Sequence, residues 1–172
     1  MWYALVAGRC LVGLVFLAAA VGKLPGRVGF GEFAGSIRLP LPLPPGLARP
    51  AAGAFVAGEA MVAPLLVAAP LAGFALAGAL LLLATAAIGA TVHSGRRVPC
   101  RCFGAAGATM GYRHLVRNGV LLAVVAGGLT GQAMTTGSAA AAGAMIAAGA
   151  GLIGALIFIK FDEVVDLFSG TG

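Results

Sequence analysis

The chain has 172 residues, 60% of them hydrophobic and 9% charged, with eleven Lys/Arg against five Asp/Glu and a formal net charge of +6. Soluble domains carry about 25% charged residues, so this composition, with a mean hydropathy of +1.04, excludes a water-soluble monomer. The basic residues sit in short segments between apolar runs, which excludes a nucleic-acid surface and makes them topology signals and lipid head-group contacts.

Five runs are long enough to cross a bilayer, which takes about 20 apolar residues. They lie at 2–22, 51–69, 71–92, 114–132 and 139–159. The fold class that follows is all-α, an integral membrane helical bundle. The first run is read as a span. Ala18-Ala19-Ala20 resembles a signal-cleavage region, but the run lacks a basic start and Arg9 interrupts it. Trp2 and Tyr3 would anchor its outer interface. Cys10, inside this span, reads as a small packing residue, with a role in a redox path as the alternative.

The first loop holds Phe30, Phe33 and Ile37 at helical spacing, which predicts a short helix over 28–38 lying on the membrane surface. Pro40, Pro42, Pro44 and Pro45 then enforce an extended stretch up to the second span. Pro70 and Gly73 mark a tight turn between the second and third spans.

Charge is strongly asymmetric. Lys23, Arg27, Arg38 and Arg49 follow the first span, and Arg96, Arg97, Arg101 and Arg113 follow the third. The turn at Pro70 and the loop near Thr135 carry no charge. The positive-inside rule places the amino terminus outside, and the Cys loop and the carboxyl terminus in the cytoplasm, of a bacterial plasma membrane. Along the last span Gly143, Ala147, Gly151 and Ala155 form a ridge of small residues. Packing within the chain is the simpler reading, and a dimer face is the alternative.

The loop after the third span carries the residues with most chemistry. Cys100 and Cys102 are two positions apart, so a disulfide between them closes a tight ring. A strained disulfide is easily reduced, which suits exchange better than a structural role. Arg96, Arg97 and Arg101 would favour the thiolate, the attacking species. Two inert thiols is one competing reading. A zinc site using His93, Cys100, Cys102 and His114 is another, although its spacing fits no common zinc pattern. Three cysteines cannot all pair internally, so no disulfide framework is expected.

Arg9 and Glu59 are ionisable groups inside apolar spans, where such groups are costly and functionally suspect. Counted from the outer edge, Arg9 is roughly 10 Å deep and Glu59 roughly 15 Å deep at 1.5 Å per residue. This predicts an intramembrane ion pair between them. It would serve either as a structural clamp or as the lining of a polar cavity for a quinone head group or a proton path. Arg117, opening the fourth span, would lower a thiol pKa or snorkel to phosphates. Asn118 beside it would hydrogen-bond to a neighbouring helix.

The run Arg9 to Leu24 (RCLVGLVFLAAAVGKL), the Leu39-Pro40 step and Glu59 are followed by Cys100-Arg101-Cys102-Phe103-Gly104 and by Arg117-Asn118. Together these residues resemble the methylamine-utilisation protein MauE family, a relative of the DoxX-like membrane proteins, over roughly residues 5–130. The resemblance implies a four-helix membrane core, here 1–132. Residues 133–172 then add a fifth transmembrane helix and a short acidic tail. It also implies a role in maturing a disulfide-rich partner for methylamine metabolism, alongside a thioredoxin-fold protein. The function expected is membrane thiol–disulfide exchange, with Cys100 and Cys102 as the catalytic pair and Arg101, Phe103, Gly104, Arg117 and Asn118 in support. A quinone is the acceptor that the Arg9/Glu59 feature suggests, and no metal is expected. Two competing functions are a small transporter or channel using Arg9 and Glu59, and a non-catalytic subunit of a larger membrane complex.

Overall fold

A computed structural model describes residues 1–23, 26–37, 44, 46–93, 112–134 and 140–160. It contains six helices among these residues and no strand: α1 (Trp2–Lys23), α2 (Gly26–Ile37), α3 (Ala48–Ala68), α4 (Pro70–His93), α5 (Tyr112–Met134) and α6 (Ala141–Ile159). All but α2 are long and apolar enough to cross a membrane. At 1.5 Å per residue, even the 19 residues of α6 cover about 29 Å, close to the hydrocarbon thickness. The expected all-α membrane bundle is therefore the observed fold, and the five expected spans match the five long helices to within a few residues.

The helices alternate in direction, so α1 and α6 run parallel. Helix α1 touches α3, α4 and α5, and α6 packs along it. The two ends of the bundle are named here for the residues of α1 they hold, the Trp2 end and the Lys23 end. Val12, Val15 and Phe16 of α1 meet Val62 and Leu66 of α3, Phe74, Ala77, Leu80 and Leu81 of α4, and Leu121 and Val125 of α5. Ala19 and Ala20, in the cleavage-like stretch, are buried in α1. The outward faces are apolar too: Val67, Leu82, Leu83, Met145, Ile146 and Ile153 are all exposed. An apolar exterior of this extent is stable in lipid and not in water.

Helices α3 and α4 are joined with almost no loop. Ala69 N–H donates to Leu65 O at 2.7 Å, and Gly73 N–H donates to Ala69 O at 3.0 Å. Pro70 opens α4, where its missing N–H costs nothing. The reversal is so tight that a Cβ on Gly73 would lie 2.6 Å from the backbone nitrogen of Leu66. The tight turn expected at Pro70 and Gly73 is thus present, and Gly73 is required by contact with backbone rather than by its own torsions.

The small-residue ridge of α6 packs within the chain, against α1. Ala147, Gly151 and Ala155 are its buried positions. A Cβ on Gly151 would lie 2.5 Å from the Ala7 carbonyl oxygen and 2.8 Å from the Cys10 Cβ. A Cβ on Gly143 would strike the Tyr3 ring, and one on Gly154 would lie 3.0 Å from Leu11 Cδ1. Cys10 is therefore a packing residue at a close helix crossing, and its thiol is free.

The short helix in the first loop also forms. It packs chiefly on α3. The Phe33 and Phe55 rings are 6.0 Å apart and tilted by 49°, and Phe30 reaches toward Gly53. Its aromatic face is turned to protein, so α2 is a cover on the bundle and not merely a helix resting on lipid. Of the proline-rich stretch only Pro44 is among the described residues, and its carbonyl accepts from Leu47 N–H at 3.0 Å.

Candidate functional site

The polar groups within the helix bundle collect at two levels. Near the Lys23 end, the Lys23 ammonium forms an ion pair with Glu59 Oε1. Both residues are only 4% exposed. Lys23 Nζ also lies 5.0 Å from the centre of the Phe33 ring and 5.2 Å from that of Phe55, so α2 and α3 enclose the cation between aromatic faces. Glu59 Oε2 is buried with no hydrogen-bond partner.

Arg9 belongs to the other level, toward the Trp2 end. Its Nη2 donates to Gln132 Oε1 on α5, and its guanidinium carbon lies 5.9 Å from the Trp2 ring centre. The ion pair expected between Arg9 and Glu59 is not formed. The cause is helix register. Gly13 of α1 faces Ala63 and Leu66 of α3, which slides α3 roughly 7–12 Å toward the Lys23 end relative to a flush alignment of Trp2 with Ala69. Side chains also lean toward the N-terminus of their helix. Lys23 therefore reaches back into the bundle to meet Glu59, and Arg9 reaches away from it. The two levels are separated by Val12, Val15, Phe16, Ala19 and Ala20, all buried. Among the described residues, Arg9 and Glu59 therefore face different partners and do not meet at one site.

Around the Lys23 end lie further polar residues. Asn118 Nδ2 donates to Thr85 Oγ1 at 3.2 Å, tying α5 to α4 as expected. Thr85 in turn donates to Leu81 O at 2.6 Å, and Thr91 to Ala87 O at 2.8 Å. Arg117 is 4% exposed, with its guanidinium carbon 5.8 Å from the Phe158 ring centre. It is enclosed by protein and does not snorkel to phosphates. His114 is buried and His93 is exposed. Among the described residues no three His, Cys, Asp or Glu side chains gather as a metal site. Cys100, Arg101, Cys102, Phe103 and Gly104 lie outside the described residues. The chain leaves α4 at His93 and enters α5 at Tyr112, so their segment is tethered at the Lys23 end.

Two residues of these polar groups were not legible as site residues in the sequence. Lys23 reads as one of several loop charges, and Gln132 lies close to the end of a span. One signal pointed to Lys23. A lone carboxylate within a span needs a cation, and a lysine ending the preceding span has the reach.

The architecture defines a multi-pass α-helical membrane protein, with charged side chains inside the bundle and a basic, thiol-bearing stretch of sequence joining α4 to α5. Its sequence matches the family described as methylamine utilisation protein MauE over residues 1–131, and the chain belongs to that family. No curated protein and no solved structure matches it. The family match ends within α5, and α6 lies beyond it.

Proposed function

We propose that the protein is a membrane thiol–disulfide exchange protein whose working groups are Cys100 and Cys102. The observation that carries this reading is the Cys100-Arg101-Cys102-Phe103-Gly104 motif, which falls inside the stretch matched by the MauE family. In the proposed reaction one thiolate attacks a partner disulfide. A mixed disulfide forms and a partner thiolate leaves. The second cysteine then attacks the mixed disulfide and releases the partner with both sulfurs reduced, leaving Cys100 and Cys102 oxidised. Two electrons pass to the partner, and the reverse sequence oxidises it. Arg101 and its basic neighbours favour the thiolate form. The partner proposed is a thioredoxin-fold protein, and the setting is a bacterial plasma membrane with the Cys loop on the cytoplasmic side. Residues 1–132 form the working core in this proposal, with α6 and the tail as an addition.

The transporter reading loses its main support once Arg9 and Glu59 are found at separate levels with an apolar layer between them. Exchange is tested in a single round with the purified protein in lipid nanodiscs, reduced to the dithiol beforehand and freed of reductant, and a thioredoxin-fold protein in its disulfide form. Cys100→Ser and Cys102→Ser are each expected to abolish turnover, and one of them to accumulate the mixed disulfide seen on a non-reducing gel. Full turnover in both single variants refutes the proposal.

A further inference from the structure

Among the described side chains, no carboxylate pairs with the Arg9 guanidinium. Its hydrogen-bonding partner is the neutral Gln132, and its ring contact is Trp2. Glu59, the one carboxylate among the described side chains, is taken by Lys23. A guanidinium without a counter-charge, partly withdrawn from water, is costly, and the cost falls sharply when an anion joins it.

Two donors are also left over at the same place. Arg9 Nε and Trp2 Nε1 are each shut off from solvent with no hydrogen-bond partner. Buried N–H groups are rarely left in that condition. They belong to residues seven apart on one helix, so both lie on one face, two turns from each other. The Arg9 side chain climbs that face toward the start of α1. Its guanidinium carbon reaches 5.9 Å from the Trp2 ring, although the two positions are about 10 Å apart along the axis. The charge therefore sits at head-group depth, where tryptophan itself is favoured.

We propose that Arg9 and Trp2 bind the phosphodiester of a phospholipid at the Trp2 end of the bundle. One phosphate oxygen accepts from Arg9 Nε–H and another from Trp2 Nε1–H, and the lipid's negative charge neutralises the guanidinium. Trp2 is the first residue of α1, so turning its ring opens the approach. Gln132 holds the guanidinium through Nη2 and leaves Nε for the lipid. The site is independent of the thiol chemistry proposed for the opposite end.

Native mass spectrometry of the detergent-purified full chain tests this, with three probes: phosphatidylglycerol, diacylglycerol with the same acyl chains, and inorganic phosphate. The wild-type chain is expected to retain phosphatidylglycerol and not diacylglycerol. Arg9→Gln is expected to retain it roughly tenfold less well, the size of a lost hydrogen bond to a charged group. Trp2→Phe, which keeps the ring and removes the donor, is expected to weaken retention by roughly threefold. This variant carries the test if Arg9→Gln does not fold. Equal retention by wild type and Trp2→Phe overturns the site. Retention of diacylglycerol as strong as that of phosphatidylglycerol shows an acyl-chain groove and overturns it too. Retention of inorganic phosphate alone at comparable strength shows a free-anion site, and a protein bound in place of lipid shows a carboxylate partner. Either result overturns the lipid assignment.

Discussion

Lys23 and Glu59 show what a single buried ion pair demands. Each charge is tolerated inside the bundle because the other is there, and removing one leaves the second uncompensated. Breaking a buried pair typically costs about 3–5 kcal/mol, whereas replacing both partners with apolar residues is often neutral. Lys23→Met and Glu59→Met should therefore each lower the unfolding midpoint markedly, while the double variant recovers most of the loss. A double variant as unstable as the sum of the two singles would show that the pair contributes no coupling. Arg9→Ala and Glu59→Ala, by contrast, are expected to act additively, because the two groups share no partner. The sequence marks Arg9 and Glu59 as ionisable groups within spans, and of the two Glu59 is buried and Arg9 half-buried, but the pairing expected between them is wrong. Counting residues from the span ends gives depth along each helix, but the offset between helices depends on which small residues allow contact. Gly13 against Ala63 and Leu66 is such a contact, and no periodicity announces it.

At the level of helices, hydropathy was nearly sufficient. Each span needs its backbone satisfied internally and its exterior apolar, so length and composition locate it. The Phe30, Phe33 and Ile37 spacing likewise located α2, but not its partner, because one apolar face suits lipid and protein equally. Only the contacts with Phe55 and Gly53 decide that it covers α3. The α6 ridge posed the same ambiguity between a neighbour in the chain and a second copy, and packing on α1 resolves it. A side chain at Gly151 must push α6 away from the Ala7 carbonyl, since a backbone atom cannot rotate aside. Gly151→Val should loosen that crossing and make Cys10 react faster with a membrane-permeant maleimide. Gly149, where a Cβ would meet nothing within 4 Å, provides the matched control through Gly149→Val. Equal Cys10 labelling in the two variants would mean that α6 does not shield the thiol.

For the molecule as a whole, five crossings put the two ends of the helical chain on opposite sides of the membrane. The orientation proposed above, with the Cys loop cytoplasmic, is open to a direct test. Maleimide that does not cross membranes should leave Cys100 and Cys102 unlabelled in intact cells and label them in inverted vesicles after reduction. Labelling in intact cells would reverse the assigned orientation. The chemistry of the thiol segment was the clearest functional signal in the sequence, because Cys-x-Cys followed by Phe-Gly is a local pattern that needs no tertiary context. The polar groups inside the bundle were harder to interpret, because their partners come from residues 36 and 123 positions away.

The parallel seam between α1 and α6 has a consequence for biosynthesis. Tyr3 and Gly143 meet across it, so α1 waits for a helix that is made only after α3, α4 and α5. Until then the groove around Ala7, Cys10 and Leu11 is open to lipid or to an insertion chaperone. The nascent protein thus keeps one side of α1 unpaired while three further spans are made, and only the emergence of α6 closes that groove.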